Sequence, residues 1–114
     1  MKIKYGSEIQ RPTDTIISVK HTGIYIGNGE VIHFNVDSST GGDPETVEKC
    51  SLEEFAQGKE VTIREEPHNE EHGNKIVKRA KKIMRNANNK YNNNYGLFFG
   101  KNCEDFTEDC FVNA

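Results

Sequence analysis

The sequence predicts an α+β domain in which an antiparallel β-sheet packs against helices. Residues 21–36 hold two β-branched segments on either side of a Gly-Asn-Gly turn, which is typical of a β-hairpin. Apolar residues in the range 76–87 recur at the spacing of one helical face, and residues 103–112 predict a closing helix. Strands followed by helices in this order indicate a compact α+β fold.

The N-terminal segments are expected to be strands. Residues 1–10 predict a short strand that is broken at Gly6, and the β-branched residues 16–19 predict another strand or strand edge. A proline and an aspartate between these segments predict a turn. In the hairpin, a turn centred near Asn28 would pair positions whose numbers sum to about 55.

The middle of the chain alternates between polar loops and short elements. Residues 37–44 are polar and glycine-rich, which predicts a loop. The run 51–54 matches a capping box and predicts a short helix that stops at Gly58. Residues 61–63 predict a strand, and the charged run 65–74 predicts a loop.

The C-terminal half should supply the two longer helices. The amphipathic range 76–87 is the strongest helical pattern, and the asparagine-rich residues 86–94 end it in a loop. Residues 97–99 predict a buried apolar patch. In the closing helix 103–112, two cysteines and a phenylalanine share one face.

Length and charge exclude several classes of protein. A chain of 114 residues is enough for one domain, residues 1–114, and not for two. The net charge of −3 gives no general attraction to nucleic acid. No apolar run has a membrane-spanning length, and the N-terminus lacks the apolar core of a signal peptide. We therefore expect a cytoplasmic protein that could contact a membrane only peripherally.

The three cysteines predict neither a disulfide framework nor a zinc site. Their number is odd and no CxxC pair is present. If Cys103 and Cys110 share one helix, their Cα atoms lie roughly 10 Å apart, which is too far for a bridge. Free thiols are the expectation, with Cys50 and Cys110 as structural residues. No metal or other cofactor is predicted.

Cys103, His21 and His33 carry the chemistry that the residues themselves suggest. A cysteine at the start of a helix is placed to be a nucleophile, although most free cysteines are buried and inert. The hairpin would make His21 and His33 neighbours on adjacent strands, so that one could act as a base while the other orients it. The alternative is two ordinary strand histidines.

These segments resemble a known family. The run His21-Thr22-Gly23-Ile24-Tyr25-Ile26-Gly27-Asn28-Gly29-Glu30-Val31-Ile32-His33-Phe34 looks like the H-box of the lecithin:retinol acyltransferase-like family. The run Asn102-Cys103-Glu104-Asp105-Phe106 is similar to its NCEHF box. The order of the two boxes and the 12-residue spacing of the histidines also match, and the resemblance covers roughly residues 5–112. It implies a circularly permuted papain-like fold of the NlpC/P60 superfamily.

The resemblance also implies roles for individual residues. Cys103 would be the nucleophile, His21 the base and His33 the third polar group of a Cys-His-His triad. Position rather than resemblance makes Asn102, just before the cysteine, and Tyr25, on the same strand face as Gly23 by alternation, further candidates for binding the substrate or its oxyanion. Capping of the helix is the simpler role for Asn102, and Tyr25 could simply pack. Two acidic residues follow the cysteine, with Asp105 where the family has histidine, and their charge would oppose ionisation of the thiol.

Three functions follow from this resemblance. The first is acyl transfer or hydrolysis of a lipid ester or amide through a thioester on the cysteine. The second is an NlpC/P60-like cysteine amidase or peptidase that acts on peptide substrates. The third is a catalytically silent interaction module on the same fold.

Two further groups of charged residues are open to interpretation. His68 and His72 lie in the predicted charged loop and are expected to be solvated. Six basic residues lie on one predicted helix and are expected to form its solvated face, with a phospholipid headgroup or an acidic surface as the alternative partner. They are Lys75, Lys78, Arg79, Lys81, Lys82 and Arg85.

Overall fold

A computed structural model describes residues 2–13, 20–35, 46–92 and 102–114. It contains a five-stranded antiparallel sheet in the order β4-β3-β2-β1-β5. The strands are β1 (Glu8–Pro12), β2 (Lys20–Tyr25), β3 (Glu30–Asn35), β4 (Thr46–Ser51) and β5 (Thr62–Glu65). The helices are α1 (Leu52–Ala56), α2 (Glu70–Arg85) and α3 (Cys103–Val112). The predicted α+β class is confirmed, while the permuted papain-like arrangement stays a prediction.

The predicted hairpin is present as β2 and β3. Ile24 lies opposite Ile32, so the paired positions sum to one more than the predicted 55. The difference arises because the loop holds three residues and closes on Ile26 and Glu30, which share a backbone hydrogen bond of 3.0 Å. Asn28 at the centre of this loop has a φ of 53°, in the left-handed region that asparagine tolerates.

The helix starts follow capping chemistry. Ser51 accepts a hydrogen bond from the amide of Glu54, and the Glu54 carboxylate accepts one from the amide of Ser51, as the capping box predicts. The prediction of a loop through residue 74 is wrong, because α2 already begins at Glu70. Asn69 caps this helix through the amide of His72, and two glutamates in its first turn favour an early start.

Strand β4 was not predicted, and Pro12, predicted to lie in a turn, instead ends β1. Strand β4 is an edge strand in which only Val47 and Cys50 are buried, so its sequence lacks the apolar alternation that identifies strands. The predictions for residues 16–19, 37–44 and 97–99 lie outside the described residues. In the described part of 86–94 there is no helix, as predicted.

The two faces of the sheet pack against different helices. One face holds Ile24, Ile32 and Phe34 and is covered by α2 and α3, which contribute Ile76 and Phe106 to the larger core. The opposite face holds the smaller core, which consists of Ile9, Val31 and Cys50 under Phe55 of α1. Because side chains alternate along a strand, odd-numbered residues of β2 and β3 face α1. The histidines of the hairpin therefore lie on the α1 face.

A buried carboxyl group joins the sheet to α3. Glu8 of β1 is 2% exposed and accepts a hydrogen bond from the Thr107 hydroxyl. Burial raises the pKa of Glu8, and the Thr107 hydrogen bond and the Arg64 charge oppose this rise only in part. Folding therefore shifts this side chain toward its protonated form relative to the unfolded chain.

We expect Glu8→Gln to change how stability depends on pH. Because the folded pKa of Glu8 is raised, its contribution to stability is complete below the ordinary value of 4.5 and is lost as the pH rises through the folded pKa. The free energy of unfolding of the wild type should therefore fall relative to that of Glu8→Gln over this window. Urea unfolding at several pH values measures the difference, with exposed Glu53→Gln as the control, and parallel pH profiles for all three proteins would contradict it.

Candidate active site

His21 and His33 form a direct, buried contact. The distance from His21 Nε2 to His33 Nδ1 is 2.7 Å, and the two rings meet edge to face at 5.0 Å between centroids. His21 is 5% exposed and His33 is fully buried. The predicted proximity of the two histidines across the hairpin is thus confirmed, and one ring is hydrogen-bonded to the other.

Phe55 and Gly23 shape the space around the two rings. Phe55 stacks on His21 at 5.3 Å and meets His33 edge to face at 5.8 Å. A Cβ atom on Gly23 would lie 2.8 Å from the Phe55 ring and 2.6 Å from Val31. Glycine at this position therefore lets α1 place its phenyl ring over the histidine pair.

The surroundings of His21 keep its ring neutral. Burial, then the neighbouring His33 and then the charge of Arg11 hold the pKa of His21 well below its usual 6.5. Arg11 lies opposite His21 in the β1–β2 register, and its Nε donates a hydrogen bond to the Phe55 carbonyl. A neutral imidazole can accept a proton, which is the state that a general base requires.

We expect Arg11→Met to raise the pKa of His21, because the substitution removes a nearby positive charge. The pKa should stay below 6.5, since burial is the largest cause of the shift. An NMR titration of the His21 ring measures this change, with exposed Lys2→Met as the control for loss of a positive charge elsewhere. A pKa that is unchanged or lower in Arg11→Met would show that the Arg11 charge does not act on this ring.

Cys103 is the first residue of α3. Asn102 caps the helix by accepting a hydrogen bond from the amide of Asp105 at 3.0 Å. Cys103 is 5% exposed, and its sulfur lies 3.7 Å from the carbonyl oxygen of Lys20, the residue directly before His21. Cys103 therefore contacts β2 at the end of the strand that carries His21.

A second contact fixes α3 along β2. The hydroxyl groups of Thr107 and Thr22 lie 3.0 Å apart, one helical turn beyond the cysteine. Thr22 points toward α3, so His21 points toward the opposite face of the sheet. The hydrogen bond of the Cys103 sulfur goes to the Lys20 carbonyl rather than to the His21 ring.

Both acidic residues after Cys103 are engaged by other groups. The Asp105 carboxylate accepts a hydrogen bond from the backbone amide of Asn102 at 2.9 Å and completes a capping box. Glu104 forms an ion pair with Arg64 at 3.1 Å. Their charges are partly compensated by these contacts.

The other two cysteines occupy apolar surroundings. Cys50, Cys103 and Cys110 are all free and buried. Burial raises the pKa of the Cys50 thiol to about 12 and raises that of Cys110 as well. These two thiols are therefore protonated and unreactive at neutral pH, in agreement with the structural role that the sequence predicts for them.

Tyr25 and Asn102 make structural contacts. The Tyr25 hydroxyl accepts a hydrogen bond from the Gly29 amide at 3.2 Å and so braces the hairpin loop, while its ring packs on the smaller core. The side-chain oxygen of Asn102 caps α3. A role for either residue in binding the substrate stays a prediction.

The remaining sequence candidates lie on and around α2. His68 is exposed and stacks on half-buried His72, whose Nε2 lies 3.0 Å from the Phe111 carbonyl, so the expectation that both are solvated is wrong for His72. Arg79 pairs with Asp109 at 2.7 Å, which leaves the more exposed Lys78 and Lys82 on the outer surface. Within ranges 2–13, 20–35, 46–92 and 102–114, no group of three or more potential metal ligands converges.

The site and the fold together define a class of protein. A hairpin with a buried histidine pair, and a helix that begins with a cysteine against the same strand, give an α+β domain with the residue types of a thiol enzyme. Comparison with known families matches residues 1–113 to the family described as lecithin retinol acyltransferase. The chain belongs to this family, and membership supports an acyltransferase-like or hydrolase-like function in general. The predicted NlpC/P60 relationship is consistent with it.

A search of curated proteins found no match to this chain. Among the described residues, no helix combines the length and the apolar character needed to cross a bilayer.

Proposed function

We propose that the protein transfers or hydrolyses the acyl group of a lipid ester or amide through a thioester on Cys103. The observation that carries this proposal is the 2.7 Å contact between His21 Nε2 and His33 Nδ1. A base must be held in one orientation to take a proton from a thiol, and a buried second ring supplies that orientation. The attachment of Cys103 next to Lys20 brings the thiol to the same strand end.

In the first step, the Cys103 sulfur attacks the acyl carbonyl carbon while the thiol proton passes to His21. The resulting oxyanion can be held at the start of α3, where the first backbone amides lack partners within the helix. The bond to the leaving alcohol or amine then breaks, and this group takes the proton from His21. An amine, an alcohol or water releases the acyl group from the thioester by the same route in reverse.

A substrate comparison tests the class of reaction. Wild type and Cys103→Ala should be incubated separately with a phospholipid and with a peptide amide, and the products measured by mass spectrometry. We expect the wild type to cleave the phospholipid ester and Cys103→Ala to leave it intact. Cleavage of the peptide alone would instead favour an NlpC/P60-like amidase, and no turnover of either substrate would favour a silent interaction module.

A further inference from the structure

We infer that Glu48 of β4 is a positioning residue that fixes the proton on His33 and thereby makes His21 the base. This inference rests on the proposed function, because it assigns a role within the same site. Glu48 lies directly opposite His33 in the β3–β4 register. Its Oε1 atom is 3.8 Å from His33 Nε2, the ring nitrogen that faces away from His21.

The Glu48 carboxylate is itself held in place. Asn35, two residues after His33 on the same face of β3, donates a hydrogen bond from Nδ2 to Oε1 of Glu48 at 2.7 Å. The Thr46 hydroxyl lies 3.5 Å from the other carboxylate oxygen. The Glu48 side chain is only 18% exposed, so its charge acts on His33 with little screening by solvent.

The charge of Glu48 selects one tautomer of His33. A neutral imidazole carries one N–H group and one lone pair. At 3.8 Å the carboxylate is too far for a hydrogen bond, but its negative charge stabilises a proton on Nε2 of His33 and disfavours a lone pair there. His33 therefore carries its proton on Nε2, which makes its Nδ1 a hydrogen-bond acceptor.

The tautomer of His33 then determines that of His21. Because His33 Nδ1 is an acceptor, the 2.7 Å contact requires that His21 donates from Nε2. Neutral His21 then has its lone pair on Nδ1, where it can accept the thiol proton. With the opposite tautomers, His21 Nδ1 would already hold a proton and could not act as a base.

NMR of the imidazole nitrogens in the full chain measures the tautomers of His33 and His21 directly. In the wild type we expect both histidines to carry their protons on Nε2. In Glu48→Ala the two tautomers of His33 should mix, and Glu48→Gln, which keeps an oxygen acceptor, should restore part of the preference. Glu30→Ala is the matched control, because Glu30 also lies on the sheet but pairs with Lys49 at the surface.

The rate of Cys103 acylation is the second readout. We expect Glu48→Ala to lower it by roughly 10- to 100-fold, by analogy with the loss seen when the partner that orients a metal-ligating histidine is removed, and Glu30→Ala to leave it unchanged. A wild-type His33 that carries its proton on Nδ1, or tautomers that Glu48→Ala does not change, would overturn the inference. Failure of the proposed function would look different from failure of this inference. Cys103 would not be acylated, while the histidine tautomers of the wild type would still be those expected.

Discussion

Replacing His21 with alanine is expected to slow acylation of Cys103 by about 10²- to 10⁴-fold, the contribution typical of a positioned general base. The effect should be large because the ring is neutral, so it can accept the thiol proton, and because its hydrogen bond to His33 holds it in one orientation. Stopped-flow measurement of acyl transfer from an activated ester to the protein gives the rate for each variant.

The matched control for this substitution is His72→Ala. His72 is a partly buried histidine whose Nε2 contacts the Phe111 carbonyl on the α2–α3 side of the sheet, away from His21. Its removal should therefore leave the acylation rate near that of the wild type. Equal rates for His21→Ala and the wild type would mean that the thiol reacts without help from this histidine.

The largest effect on stability is expected from Phe106→Ala, which should lower the free energy of unfolding by about 3–5 kcal/mol. Phe106 is fully buried in the larger core and meets Tyr91 edge to face at 5.6 Å. Removal of its ring would leave a cavity between α3 and the sheet, close to the cysteine. Because small domains are stable by only about 5–15 kcal/mol, this loss would be a large fraction of the total.

Urea unfolding followed by circular dichroism measures this loss. Val112→Ala is the control on the same helix, since Val112 is 76% exposed and its truncation should change stability by less than about 0.5 kcal/mol. A cost below about 1 kcal/mol for Phe106→Ala would contradict the packing of α3 described above. Loosening of α3 should also slow acylation, because this helix carries Cys103.

Parts of the fold that depend on local patterns were predictable from sequence. The hairpin could be predicted because a Gly-Asn-Gly turn between β-branched segments specifies strand pairing. The start of α3 at Cys103 was also predictable, and so was the meeting of the two histidines across the hairpin. Each of these features is set by residues that are close together in sequence.

Features set by distant contacts were harder to predict. Strand β4 has a polar sequence and forms because it pairs along the whole of β3, so the position of Glu48 beside His33 could not be read from its neighbours. Tyr25 was assigned to the site from alternation alone, whereas its hydroxyl bonds to Gly29 in the turn. The early start of α2 could have been predicted from the sequence, since Asn69 followed by two glutamates is typical of a helix N-terminus.

The central claim is that an acyl group is carried as a thioester on Cys103. The most direct test is mass spectrometry of the protein after brief exposure to a phospholipid, with peptide mapping of all three cysteines. We expect the acyl mass on Cys103 alone, and we expect hydroxylamine to remove it, since hydroxylamine cleaves thioesters. An acyl mass on Cys50 or Cys110, or no hydroxylamine-sensitive adduct at all, would contradict this account.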